Sequence, residues 1–138
     1  MPTDDDLRAI YEETKTIAVV GASSNPSKAA HSIPSYLQAQ GFRIIPVTPK
    51  GGELFGEPAA TSLAEIDDQV DVVDVFRPGE EVPDIAREAA AIGAKVLWLQ
   101  PGISSEEGAG IARQAGLQVV TDMCMGATHQ RLFGADPA

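Results

Sequence analysis

Along the chain, short, mostly apolar runs alternate with longer segments of helical spacing. The runs are 16–20, 42–47, 70–76, 95–100 and 117–121. None has the strict apolar–polar alternation of a half-exposed strand, so each predicts a strand covered on both faces. Between them, residues 33–40, 83–92 and 104–115 space their apolar positions as helices do. Each stops at a glycine, Gly41, Gly93 or Gly116, where a left-handed residue past the helix end belongs. A shorter unit, 62–66, has Ser62 and Glu65 at capping-box spacing. Pro34 has no amide proton and is tolerated in a first turn, so the helix after the first strand is expected to begin near Ser32. That leaves a loop of about ten residues, long enough to be functional, with Lys28 and His31 in it.

Strand and helix alternate from Thr16 to the end, which predicts parallel strands joined by right-handed helical crossovers. The expected fold is α/β: a Rossmann-like, doubly wound, five-stranded parallel sheet with helices on both faces, forming a single domain over 16–134. Residues 1–15 are expected to be an acidic lead-in with a solvated helix over 7–13. A chain of 138 residues can bury a core without disulfides. Its single cysteine, Cys124, points to a reducing compartment. With no long apolar span and no leader-like start, the expectation is a cytoplasmic protein without a membrane partner.

Charge narrows the partners. Twenty Asp and Glu oppose ten Lys and Arg, giving a net charge of −10. The basic residues are scattered singly, which argues against a nucleic-acid partner. An anionic ligand would have to rely on a few local donors.

In an open parallel sheet, ligands bind beyond the carboxyl ends of the strands, where strand order reverses. The first strand exits into Gly21, Ala22, Ser23, Ser24 and Asn25. The small residues allow close backbone approach, and the polar ones offer donors to a pyrophosphate. A lone glycine is a weak signal, since the dinucleotide fingerprint has three. After the second strand, Thr48-Pro49-Lys50 puts a cation where an NAD site places an acid. The third strand exits at Phe76 and Arg77, and the fourth at Gln100, Pro101 and Gly102. Trp98 reads as core. Asp122, Cys124 and His129 are candidate metal ligands, and the last two a candidate nucleophile and base. The plainer reading is a buried free cysteine between methionines, so no metal or catalytic residue is assigned.

Together, Val20-Gly21-Ala22-Ser23, Asn25-Pro26, Pro46-Val47-Thr48-Pro49, Asp71 to Pro78, Trp98 to Ile103 and Asp122-Met123-Cys124 resemble the small bacterial CoA-binding proteins. These are similar to the amino-terminal domain of the succinyl-CoA synthetase alpha subunit. The resemblance implies coenzyme A as the ligand, with Ser23, Ser24 and Asn25 along its phosphates and Lys50 at the nucleotide end. It further implies that Gln100, Pro101 and Gly102 line the ligand's path, beside Phe76 and Arg77. The segment around Cys124 departs from the synthetase pattern, which has prolines there. The synthetase's phosphorylated histidine has no counterpart in His31 or His129. The expected function is a CoA or acyl-CoA binding module without catalysis of its own, acting as carrier, sensor or partner to an unidentified protein. The alternatives are a small NADP-dependent oxidoreductase, with Lys50 serving a 2′-phosphate, and a nucleotide-binding interaction protein.

Overall fold

The computed structural model describes residues 2–134. Its centre is a parallel sheet of β1 (Thr16–Val20), β2 (Arg43–Val47), β5 (Val72–Val75), β6 (Val96–Leu99) and β7 (Gln118–Val120), in the order β2-β1-β5-β6-β7. The two extra strands, β3 (Glu53–Leu54) and β4 (Glu57–Pro58), pair as an antiparallel hairpin outside the sheet. β1 is followed to one side by β2, and the chain then returns to place β5 on the other side of β1. The strand order therefore reverses between β1 and β5, and their carboxyl ends mark the crevice.

Five helices cover the sheet: α1 (Asp4–Glu13), α2 (Ala29–Ala39), α3 (Val82–Ala91), α4 (Glu106–Gln114) and α5 (Met125–Phe133). Every residue of β1, β5 and β6 is buried, as their mostly apolar runs require, Asp74 of β5 included. Side chains alternate between faces. Ala18, Val20, Val73, Val75, Leu97 and Leu99 pack with α3 and α4. Ile17, Val19, Val72, Val96 and Trp98 pack with α1, α2 and α5.

Several local expectations are corrected. The lead-in helix begins at Asp4, where Thr3 and Asp6 form a reciprocal capping box. It is not solvated all round: Leu7, Ile10 and Tyr11 lie in the core, and the Tyr11 hydroxyl donates to the Met125 carbonyl at 2.6 Å. Helix α2 starts at Ala29 rather than near Ser32, which puts Pro34 inside it. Proline there removes the amide that would bond the Ala30 carbonyl. That carbonyl instead accepts from the Ser23 amide at 3.2 Å, so the proline ties the loop after β1 to the helix. At 62–66 only a short 3-10 turn forms, Leu63–Glu65, with no side-chain cap from Ser62, and the Glu65 carboxylate accepts from Thr61 rather than from the Ser62 amide.

Candidate functional site

At the reversal point, the turns after β1 and β5 touch. Gly21 has φ +91, and a Cβ there would sit 2.8 Å from Arg77 Cδ and 3.0 Å from the Phe76 carbonyl oxygen. Glycine is required twice over, for the left-handed backbone and for the close approach. Beside this contact opens a cleft of about 440 Å³. Of the residues singled out in the sequence, it gathers Gly21, Ala22, Ser23, Ser24, Thr48, Lys50, Phe76 and Arg77. Lys28, noted as part of the loop, also lines it.

Asn25, Gln100, Pro101 and Gly102 do not line this cleft. Asn25 shapes the loop: its Oδ1 accepts from the Ser27 amide at 3.0 Å and from the Ser27 hydroxyl at 2.8 Å. Pro101 and Gly102 form a tight turn in which Gly102 has φ +86 and the Ile103 amide returns to the Gln100 carbonyl at 3.0 Å. Gln100 points inward, and its Nε2 donates to Asp74 Oδ1 at 2.5 Å. Asp74 is fully buried, and desolvation pushes its carboxyl up to about 7 despite the Gln100 hydrogen bond. Asp74 Oδ2 and Gln100 Oε1 have no partner among the described residues.

The donors of the cleft divide into engaged and available. The Gly21 and Ala22 amides both approach the Val47 carbonyl, at 2.9 and 3.4 Å, and the Ser23 amide goes to Ala30. The Asn25 amide goes to Ser23 Oγ at 3.0 Å. Among the described residues, the amides of Ser24, Ala29 and Ala30 find no acceptor. The last two are the open first turn of α2, which favours an anion. Neither Lys28 nor Lys50 forms an ion pair among the described residues. Arg77, by contrast, forks onto Glu81: Nε reaches Oε1 at 3.1 Å and the terminal nitrogen reaches Oε2 at 2.6 Å. That contact raises the arginine further and holds the Glu81 carboxyl below the usual range.

The family model for the CoA binding domain matches residues 15–130. The chain belongs to the CoA-binding domain family. This CoA-binding domain protein is 37% identical over 128 residues to the uncharacterized protein YneT of Bacillus subtilis, covering 93% of this chain and 95% of that one. A solved Thermus thermophilus structure superposes with a TM-score of 0.91 at 44% identity, covering 95% of this chain and 99% of its own. The alpha subunit of acetate–CoA ligase (ADP-forming) I of Pyrococcus furiosus is 35% identical over 120 residues. That match covers 78% of this chain and 25% of the ligase subunit. The small relative thus corresponds to most of this chain, and the ligase subunit carries a region like it, in keeping with the succinyl-CoA synthetase-like resemblance.

The region around Cys124 also departs from the sequence reading. Cys124 is half-buried and caps α5, with its Sγ accepting from the Ala127 amide at 3.4 Å. His129 is buried among Tyr11, Tyr36, Phe42 and Phe133, with Nδ1 2.9 Å from the Tyr36 hydroxyl. Desolvation lowers its basicity. Among the described residues, no group of three or more His, Cys, Asp or Glu side chains is placed to hold a metal. No described helix is long and apolar enough to cross a membrane.

Proposed function

We propose that this chain binds coenzyme A or its acyl thioesters as a module without catalysis of its own, serving as carrier, sensor or partner to another protein. One observation carries the reading. In a protein of net charge −10, Lys28, Lys50 and Arg77 line a single cleft at the reversal point of the sheet. The amides of Ser24, Ala29 and Ala30 stand open beside them. This is an anion site built by position, since the surrounding field is negative. The ligase relatives and the family match favour CoA over other phosphate-bearing ligands. On this reading the phosphates lie along Ser23, Ser24 and the start of α2, and Lys50 reaches the 3′-phosphate. Gln100 acts from behind by holding the Pro101-Gly102 turn that borders the pantetheine path.

Calorimetry with CoA and dephospho-CoA tests the reading. CoA is expected to bind in the micromolar range, about −8 kcal/mol, and to weaken as salt rises. Lys50→Ala is expected to weaken CoA more than dephospho-CoA. Absence of heat and of thermal shift at millimolar CoA overturns the function. Equal losses for the two ligands move Lys50 away from the 3′-phosphate.

A further inference from the structure

The sheet has two edges, and among the described residues the chain closes one of them. Beside β2, the Ala60 amide donates to the Pro46 carbonyl at 3.0 Å, and the Ala60 carbonyl accepts from the Thr48 amide at 2.9 Å. The segment after the hairpin therefore covers that edge. On the far side β7 pairs with β6, and no described strand lies beyond it. The Gln118 amide turns back to β6, donating to the Lys95 carbonyl at 3.0 Å. Alternate residues of a parallel ladder turn their peptide groups to opposite sides, so Val119 presents its N–H and C=O outward. The Thr121 amide, just past the strand, also has no acceptor among the described residues.

This open edge is the floor of a groove of about 380 Å³, walled by Asp6 and Ile10 of α1 on one side and by Arg113 of α4 on the other. Further cavities continue it at both ends. One holds Glu13 and shares Ile10 and Gln118 with the groove, and the other holds Glu106 and Asp122 and shares Arg113 and Thr121. The whole length of β7 is thus flanked by open space, as the addition of a strand requires. The two walls differ in charge. On the α1 side stand Asp6 and Glu13, and Lys95 beside them is already paired with Asp71 at 3.6 Å. On the α4 side Glu106 is accompanied by Arg113, and the half-buried Val119 adds an apolar side chain packed on the cluster beneath α3 and α4. Asp6, Glu13, Glu106, Asp122 and Arg113 form no ion pair among the described residues.

A second copy of this chain does not suit that edge. Two β7 strands meeting antiparallel about a two-fold axis set α1 beside its own copy, so the acids of one face the acids of the other. An edge strand of three residues flanked by like charge is guarded against self-pairing. The same acids attract a basic strand. We propose that the open edge of β7 receives an extended segment of another protein in which basic and apolar residues alternate. Its backbone bonds the outward peptide group of Val119. Its period of two sends the basic side chains to Asp6 and Glu13 on the α1 wall and the apolar ones to Val119 on the α4 wall. This surface lies away from the cleft and does not rest on CoA binding.

The test uses isotope-labelled protein and capped peptides of about eight residues, within the usual length of a strand. One peptide alternates Lys and Val, a second has the same composition in two blocks, and a third alternates Glu and Val. The alternating basic peptide is expected to bind with a Kd below about 1 mM, to shift the Val119 and Thr121 amide resonances most, and to weaken as salt rises. The other two are expected to bind at least about tenfold more weakly. Val119→Pro removes a donor that β6 does not use, and is expected to weaken the basic peptide by at least about fivefold. Glu13→Lys changes an exposed residue at the end of α1, where a cation suits the helix dipole. It is expected to weaken the basic peptide about threefold and to strengthen the acidic one. Circular dichroism reports on both folds, and if Val119→Pro does not fold, Glu13→Lys decides. No binding of the alternating basic peptide at millimolar concentration overturns the inference, as do equal binding of the block peptide, shifts centred away from β7, or affinity unmoved by the variants that fold. Concentration-dependent dimerisation that Val119→Pro abolishes assigns the edge to a second copy and overturns it too. CoA titrations of the same samples stand or fall separately.

Discussion

Replacing Asp74 by Asn perturbs the one carboxyl that, among the described residues, the fold encloses completely. Asp74 lies on β5 between Val19 of β1 and Trp98 of β6, on the face covered by α1, α2 and α5. Burial pushes it from the ordinary 3.8 to about 7. The proton is thus held more tightly in the folded than in the unfolded chain, by about 4 kcal/mol at 1.36 kcal/mol per pKa unit. The geometry agrees, since Asp74 Oδ2 and Gln100 Oε1 are both buried acceptors without partners. A proton on Oδ2 turns one of them into a donor. Between about pH 4 and pH 7 the folded chain retains a proton that the unfolded chain has released. Stability contributed by the neutral acid is therefore lost as pH rises, by about 1.4 kcal/mol per pH unit in that window. Asp74→Asn keeps the shape, offers an amide donor toward Gln100 and has no proton to lose. Urea unfolding of both proteins from pH 4.5 to 7.5 isolates the effect as a difference. That subtraction also removes His129, whose lowered basicity gives the opposite slope in both proteins. The variant is expected to gain on the wild type steadily, by up to about 4 kcal/mol across the full window. A difference that stays constant with pH refutes the reasoning and returns Asp74 to an ordinary ionised state.

Gly21→Ala puts a side chain at φ +91 against the Phe76 carbonyl, which cannot yield. The expected loss is about 1–3 kcal/mol in unfolding free energy, accompanied by weakened CoA binding as Arg77 is displaced; unchanged stability and affinity refute the contact. Pro34→Ala restores an amide that competes with Ser23 for the Ala30 carbonyl. An interior proline costs a helix about 3 kcal/mol, yet the expected gain here is below about 1 kcal/mol, with CoA affinity reduced severalfold as the loop loosens. The full gain with unchanged binding refutes the coupling.

The central strands were legible because a parallel sheet covered on both faces writes itself as mostly apolar runs, whereas the order of the strands in the sheet is not written in such runs. The hairpin of β3 and β4 was not legible. Its strands are two residues long, and it is fixed from a distance by Arg43, which forks onto Glu57 at 2.6 and 2.9 Å. Helix α5 escaped notice because its cap is a cysteine, whose sulfur is a weak acceptor, in place of the usual oxygen residue. Gln100 was correctly placed at a strand exit, but a residue there faces outward or inward according to what its neighbour requires. The available signal was Asp74, an acid inside an apolar run, which had to find a buried partner. The start of α2 at Ala29 was not legible, because Pro34 sits inside the helix. An interior proline is tolerated when another donor takes the carbonyl it leaves open, and Ser23 is that donor.

The same hydrogen bond changes how the anion site works. The sequence suggests a turn whose successive amides cradle a phosphate, as glycine-rich loops do. In the structure most of those amides are engaged: Gly21 and Ala22 toward β2, Ser23 on α2, Asn25 on Ser23. The turn is therefore a rigid support, and on the proposed reading recognition falls to the Ser24 amide, the first turn of α2 and the cations around it. Point charges on exposed Lys28 and Lys50 attract phosphate at longer range than a cradle of dipoles, but they are screened more strongly by salt. If the proposed site binds its anion in this way, the acidic protein gains selectivity from geometry, because only a ligand long enough to meet Lys28, Lys50 and Arg77 together offsets the surrounding negative field. A short inorganic anion reaches one or two of them and still faces the repulsion of the remainder of the surface.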